Sequence, residues 1–157
     1  MCDDASKVTL LVRRQIEAGI AVPLIKAFME EVGREKALEI VRKVIEELAA
    51  ESGRMLAKMM DGNSLEHFAK ATAVFAQGGA LESEIMESSP DRLASNITRC
   101  RFAEICKEHG WEEFGYLLSC GRDYAMIKGF NPKIKLTRTQ TVMEGAPFCD
   151  FRFEMSE

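Results

Sequence analysis

The period of the apolar residues changes at Gly78-Gly79, and this change is the strongest constraint on the fold. Before it, from residue 5 onward, apolar side chains recur every three or four residues, which is typical of amphipathic helices. After it, apolar and polar residues alternate from Leu81 to Met86, which predicts a strand. Because helices come first and short strands follow, we predict an α+β domain.

The helical half divides at residues that break helices. Pro23 is expected to end or kink the first helix, because proline removes a backbone hydrogen bond, and Gly33 is expected to end the second. A third helix runs to the stop signal at 61–63. Asn63 and Glu66 have the spacing of a capping box, which predicts a fourth helix that ends at the double glycine.

The second half predicts two β-hairpins with two helices between them. The strands are expected at 81–86, 93–99, 133–143 and 148–154, and the helices at 101–109 and 112–128. Turn-forming residues at 88–91 and 144–147 join the strands of each hairpin. We therefore expect a single domain, 1–157, in which 1–80 is a helical lead-in and 81–157 form a four-stranded antiparallel sheet with its helices.

Composition excludes several classes of protein. The 157 residues are 46% hydrophobic and 29% charged, as in an ordinary globular domain. The net charge is −4 and no basic run occurs, so binding to nucleic acid is not expected. No apolar run approaches the roughly 20 residues of a membrane span, and the N-terminus has no signal-peptide pattern. We predict a cytoplasmic protein with no membrane partner.

The cysteines fit neither a disulfide framework nor a structural zinc site. Their number is odd and no CxxC pair occurs, so reduced thiols and no cofactor or metal are expected. A metal bound by Cys100, Cys120, Asp123 and Cys149 is the less favoured alternative, because these soft ligands are scattered along the chain. The five cysteines are Cys2, Cys100, Cys106, Cys120 and Cys149.

Two polar residues fall on the apolar face of the predicted strand 133–143. Arg138 and Gln140 alternate with the aliphatic residues of that face, so both should point inward. A buried guanidinium needs a carboxylate partner, which is either internal, Asp123 or Glu144, or belongs to a ligand. Cys149, on the returning strand, should point to the same interior, either as part of a site or as a small buried hydrophobe.

Two further thiols are candidates for chemistry. Cys120 and Asp123 lie along one side of the predicted helix 112–128, so Asp123 could activate Cys120, act on water as a general base, or simply hydrogen-bond to backbone. Cys100 stands at a helix start between Arg99 and Arg101, a setting that lowers a thiol pKa. It is therefore the best candidate for a thiolate nucleophile, with a structural, cap-like role as the alternative. His67 and His109 lie elsewhere, so no Cys–His dyad is predicted.

Two segments resemble the signature of the L-2-amino-thiazoline-4-carboxylic acid hydrolase family. They are NITRCRFAEICKEHG and LLSCGRDYAMIKGFNPKIKLTRTQTVMEGAPFCDFRF, within residues 96–153. The resemblance implies an enzyme that opens a small cyclic amidine at a non-peptide C–N bond, as in conversion of 2-aminothiazoline-4-carboxylate to carbamoyl-cysteine.

The same resemblance implies roles for the candidate residues. The substrate is a small molecule that bears a carboxylate, which Arg138 and Gln140 would bind. Asp123 or Glu144 would bind its amidine. Attack would come from a thiolate or from water activated by a carboxylate, and these two routes stay open. The implied catalytic set is Cys100, Cys120, Asp123, Glu144 and Cys149.

A second resemblance supports a different class of function. The order of elements is similar to that of small-molecule-binding domains of the vinyl-reductase-associated type. The alternative prediction is therefore a non-catalytic ligand-binding or sensor domain. The sequence leaves the physiological substrate and the oligomeric state open.

Overall fold

The computed structural model describes residues 8–156, in which three helices precede a sheet with three shorter helices. Cys2 and the predicted helix start at residue 5 lie outside the described residues. The elements are α1 (Leu10–Val32), α2 (Arg34–Met59), α3 (Leu65–Phe75), β1 (Leu81–Ser88), β2 (Arg92–Cys100), α4 (Arg101–His109), α5 (Glu112–Leu118), α6 (Asp123–Phe130), β3 (Ile134–Thr137) and β4 (Cys149–Met155).

The four strands form one antiparallel sheet in the order β1-β2-β4-β3. This confirms the predicted α+β class, both hairpins and the two helical segments between them. The β2–β4 pair is central and places Ile97 opposite Cys149, so the end of β2 and the start of β4 lie side by side. Cys100 follows directly at the junction of β2 with α4. The topology thus gathers Cys100 and Cys149 at one end of the sheet.

The first helix differs from its prediction. α1 continues through Pro23 to Val32, so the expected end at Pro23 is wrong. The prolyl ring leaves the carbonyl of Gly19, one turn earlier, without its helical donor; Gly19 and Pro23 are both exposed, and water can supply that hydrogen bond. The expected break at Gly33 is confirmed: its φ of 84° suits glycine, and α2 starts at the next residue.

The α2 and α6 backbones touch at two glycines. A Cβ added to Gly53 would lie 2.0 Å from the carbonyl oxygen of Met126, and one added to Gly129 would lie 2.0 Å from that of Ala50. No side chain fits between these helices, so their crossing is set by backbone contact. This crossing holds α6 against the rest of the fold, and α6 begins at the candidate residue Asp123.

Two groups of buried side chains form the core. One fills the space between the sheet and helices α2, α3 and α6, where the Phe68 ring meets Phe130 at 5.3 Å and Phe153 at 5.0 Å between centroids. The other joins α1, α4 and α5. Its buried members are Ala18, Val22, Ile25, Phe102, Ala103, Cys106, Phe114, Leu118 and Met143. Helices α5 and α6, the flanks of the candidate site, therefore belong to different core groups.

We expect Gly129→Ala to lower the free energy of unfolding by more than about 3 kcal/mol, because the new methyl group overlaps backbone that cannot move aside. Urea unfolding followed by circular dichroism measures this. The matched control is Gly19→Ala, whose added Cβ would be 3.8 Å from Trp111; it should be neutral or stabilising by about 0.5–1 kcal/mol. Equal unfolding midpoints for Gly129→Ala and the parent would contradict the close crossing.

Candidate functional site

Arg138 is enclosed at the centre of the candidate site. It follows β3 directly, and only 2% of its side chain is exposed. Its Nη1 donates to Asp123 Oδ2 at 2.6 Å and its Nη2 donates to the Cys120 carbonyl at 2.9 Å. The inward direction expected for Arg138 is confirmed. Of the two internal partners considered, the structure pairs it with Asp123.

Three aromatic rings surround the same guanidinium. The Cζ atom of Arg138 lies 5.9 Å, 5.5 Å and 4.9 Å from the ring centroids of Tyr116, Tyr124 and Phe151. The negative face of such a ring attracts a cation, and the attraction grows where water is excluded. Tyr124 also donates its hydroxyl to the Arg138 carbonyl at 3.2 Å. The rings therefore help to offset the desolvation of the charge.

The ion pair keeps Arg138 charged. Burial lowers the pKa of Arg138, but the charge of Asp123 and its hydrogen bond raise it more, so the net shift is upward. Burial also raises the pKa of Asp123; the charge and hydrogen bond of the guanidinium offset this only in part, so the net shift is upward. A quarter of the Asp123 side chain is exposed, in contrast to that of Arg138. The carboxylate thus faces the cation on one side and has an open side.

A break in the predicted helix 112–128 creates this arrangement. The segment forms α5, a 3-10 turn at Cys120–Arg122 and α6, so the single helix we expected is wrong. Ser119, at φ −126° and ψ −67°, leaves helical geometry between them. As a result the Cys120 carbonyl accepts from both the Asp123 amide and Arg138. Asp123 becomes a first-turn residue of α6, where the helix dipole favours a negative charge.

Asp150, whose role no sequence pattern indicated, holds the segment that carries Arg138. Its Oδ1 accepts from the amides of Thr139 and Gln140, both at 2.9 Å, and its Oδ2 accepts from the Thr139 hydroxyl at 2.7 Å. Burial raises the pKa of Asp150, but these hydrogen bonds outweigh it and the net shift is downward. The Asp150 carboxylate accepts hydrogen bonds from amides that would pair with β4 if β3 were longer. For this reason β3 ends at Thr137 and not at residue 143, the end that we predicted.

Three cysteines lie around the ion pair. Burial is the main cause of the raised pKa of Cys100, Cys120 and Cys149, and the charge of Asp123 adds to it at each thiol. Cys149 is buried, and its sulfur accepts from the Val142 amide at 3.2 Å. The structure thus brings together the three candidate thiols, Asp123 and Arg138.

The expected activation of Cys100 is wrong. Burial raises its pKa, although the amides of Phe102 and Ala103 at the start of α4 oppose the shift. The flanking arginines have carboxylate partners on the surface instead: Arg99 pairs with Glu82 and Glu104, and Arg101 lies 3.9 Å from Glu104. Burial likewise raises the pKa of Cys120 and Cys149, and that of Cys106 to about 11. All four are therefore thiols at neutral pH.

The two remaining candidates lie apart from the ion pair. Glu144 is exposed at the end of the 3-10 turn Val142–Glu144 and accepts from the Thr141 hydroxyl at 2.7 Å. Gln140 is half-buried and donates its Nε2 to the Phe148 carbonyl at 2.9 Å. Both side chains hold the loop between β3 and β4 in shape. Among residues 8–156, no group of His, Cys, Asp and Glu side chains has the arrangement of a metal site.

A cleft of about 360 Å³ adjoins the ion pair between α2 and α5. It combines apolar walls with charges of both signs. Tyr116 belongs to both places, because it lines the cleft and its ring stands over Arg138. Glu113, at the rim, pairs with Arg34. The lining residues are Leu38, Arg42, Ile45, Glu46, Glu113, Tyr116, Leu117 and Gly121.

The raised thiol pKa values predict that stability falls at alkaline pH. A thiol whose pKa is higher in the folded protein ionises first in the unfolded chain, so its stabilising effect is complete below pH ~8.5 and is lost as pH rises toward the folded value. Each such thiol should lower the free energy of unfolding by about 1.4 kcal/mol per pH unit in that range. Urea unfolding at several pH values from neutral upward measures the slope, and Cys120→Ser should reduce it. An unchanged slope in this variant would contradict the shift at Cys120.

Several known proteins resemble this chain in fold or in sequence. No helix within 8–156 is both long and apolar enough to span a membrane. The fold resembles the phenol-responsive sensory domain of the transcription activator PoxR with phenol, at TM-score 0.56 and 11% identity over 94% of this chain and 76% of that one. It also resembles a trafficking protein particle complex subunit 3 from Naegleria fowleri covalently bound to palmitic acid, at TM-score 0.54 and 10% identity over 93% and 96% of the two chains.

At such low identity these two likenesses concern the fold alone. No protein with a curated description matches the sequence. The family model described as L-2-amino-thiazoline-4-carboxylic acid hydrolase matches residues 13–153, which is nearly the whole chain and includes both Asp123 and Arg138. The chain therefore belongs to the L-2-amino-thiazoline-4-carboxylic acid hydrolase family.

Proposed function

We propose that the protein hydrolyses a C–N bond in a small cyclic amidine that bears a carboxylate, such as 2-aminothiazoline-4-carboxylate. The observation that carries this proposal is the family match, which extends over both sides of the Arg138 cluster. The cluster supports a hydrolase because it offers a carboxylate held by a cation and open on one side. Such a group can take a proton from water.

Asp123 is the proposed general base, and Arg138 is its positioning residue. Water would give a proton to the open side of the Asp123 carboxylate while its oxygen bonds to the amidine carbon. Asp123 would return this proton to the ring nitrogen of the tetrahedral intermediate. As the C–N bond breaks, the remaining hydroxyl proton would pass to the same nitrogen, which leaves as an amine while the oxygen becomes a carbonyl. Arg138 holds the other carboxylate oxygen at 2.6 Å, so the base cannot rotate away.

The state of the thiols favours water over a cysteine nucleophile. A thiolate is the reactive form of cysteine, and burial raises the pKa of Cys100, Cys120 and Cys149. No histidine from the described residues is found among the contacts of these thiols. His67 bonds to Ser64, and His109 bonds to the Ile105 carbonyl. We therefore assign the thiols to the wall of the site.

The cleft between α2 and α5 is the proposed place of substrate docking. Its volume, about 360 Å³, lies within the range of small-molecule sites. Arg42 suits the substrate carboxylate, and Glu46 suits the amidine. Arg138 itself is neutralised by Asp123 and closed to solvent, so we propose Arg42 rather than Arg138 as the carboxylate ligand. Tyr116 is common to the cleft and the ion pair, so a substrate docked against its ring lies on the side of the cleft next to Asp123 and Arg138.

The general-base proposal predicts loss of turnover in Asp123→Asn. The amide cannot accept the proton, so kcat with 2-aminothiazoline-4-carboxylate should fall at least about 100-fold. Product release, followed by chromatography, measures the rate, and circular dichroism checks the fold. Asp91→Asn, an exposed aspartate next to β2, is the control and should keep the parental rate. Cys100→Ser should keep most of the activity; a hundredfold loss there would instead indicate a thiolate route.

The docking proposal predicts a change in KM. Arg42→Gln should raise KM by about tenfold or more, since a charged hydrogen bond contributes about 1.5–3 kcal/mol, while kcat changes little. Lys43→Gln, the next residue of α2, does not line the cleft and is the control. Equal KM values for the two variants would exclude Arg42 from the site.

Binding without turnover would identify the alternative function. Calorimetric titration with the same acid and related cyclic amidines measures affinity independently of catalysis. Binding in the cleft together with no product from any of them would refute the hydrolase proposal and support a sensor domain. The fold resembles a phenol-responsive sensory domain, and this likeness is the observation behind the sensor alternative.

A further inference from the structure

The outer sides of α1 and α2 carry large apolar side chains that no described residue covers. On α1 they recur at every fourth position and are between 43% and 63% exposed. On α2 a similar row is between 49% and 68% exposed. We call the two rows together the hairpin face: Val12, Ile16, Ile20, Leu24, Phe28, Val32, Ile40, Val44, Leu48, Met55 and Met59.

The middle of α1 has the composition of a helix that is buried on all sides. Residues 18–25 contain no polar side chain. A helix that is apolar all round is normally surrounded by protein. One side of this segment is in the core, where Ala18, Val22 and Ile25 are at most 3% exposed. Ile20 and Leu24, on the other side of the helix, are 63% and 52% exposed, and no described residue packs over them.

The exposed area matches what a stable protein interface requires. Side chains of this size at about half exposure present on the order of 1,000 Å² in total, against about 800 Å² per partner in a standard interface. Monomeric proteins rarely leave an apolar patch larger than a few hundred Å² uncovered. The charges beside the row on α2 are of both signs, unlike the basic excess of helices that bind lipid surfaces.

We infer that a second copy of this chain covers the hairpin face in a two-fold symmetric dimer. A row at every fourth position forms a ridge, and two such ridges interlock in the commonest class of helix crossing, at about −50°. The α1 row is symmetric about residue 22, so an antiparallel crossing brings Ile20 of one copy beside Leu24 of the other. At that angle the two α1 helices diverge on either side of the crossing, which leaves the α2 rows free to contact the partner as well.

Light scattering during size-exclusion chromatography tests the dimer. The parent should elute with twice the chain mass of 17.6 kDa. The double variant Ile20→Glu with Leu24→Glu should elute as a folded monomer, because both side chains are exposed in the single copy and a buried carboxylate pair opposes association. The matched control is Ile85→Glu with Met86→Glu, on the exposed edge strand β1, which should stay dimeric.

Two results would overturn the inference. One is a parent protein that stays monomeric at concentrations of about 100 µM, where a standard interface is saturated; the face would then serve a different partner. The other is a dimer that survives both glutamates. If the charged variant does not fold, Ile20→Ala with Leu24→Ala replaces it and should weaken the dimer at least tenfold in dissociation constant. The dimer does not depend on the proposed hydrolysis, so the two can fail separately.

Discussion

The ion pair between Arg138 and Asp123 is the interaction on which the candidate site depends. Two charges taken out of water lose hydration energy, which is regained only where geometry is good and other hydrogen bonds are made. Here the guanidinium has the carboxylate at 2.6 Å, a carbonyl at 2.9 Å and three aromatic rings around it. Removing one partner of such a pair typically costs about 3–5 kcal/mol. The pair therefore ties β3 to the start of α6.

Separate parts of the fold bring the two charges together. The glycine crossing of α2 and α6 fixes the helix that starts at Asp123. Asp150 fixes the segment after β3 through the amides of Thr139 and Gln140. The break at Ser119 turns the Cys120 carbonyl toward Arg138. Each of these three features lies far in sequence from at least one of the two charged residues. The site therefore forms only when the whole chain has folded.

Because the site depends on distant contacts, the sequence could predict only those features that depend on local residue spacing. The helical and strand periods and the stop at Gly33 depend on local residue spacing, and the predicted class and hairpins are confirmed. The inward direction of Arg138 also followed from strand alternation. The helix break at Ser119 and the early end of β3 did not follow from local spacing, because each goes with a contact to a residue more distant in sequence: the Cys120 carbonyl accepts from Arg138, and the Thr139 amide donates to Asp150. The thiol pKa of Cys100 was misjudged because sequence neighbours show adjacent charges but not burial or the carboxylates that pair with Arg99.

In the proposed mechanism, water activated by Asp123 attacks the substrate and no cysteine forms a bond to it. Intact-mass measurement of protein quenched in acid during turnover of 2-aminothiazoline-4-carboxylate tests this most directly. The protein should keep its unmodified mass at every time point while product accumulates. A transient adduct with the mass of the opened substrate on Cys100, Cys120 or Cys149 would contradict it.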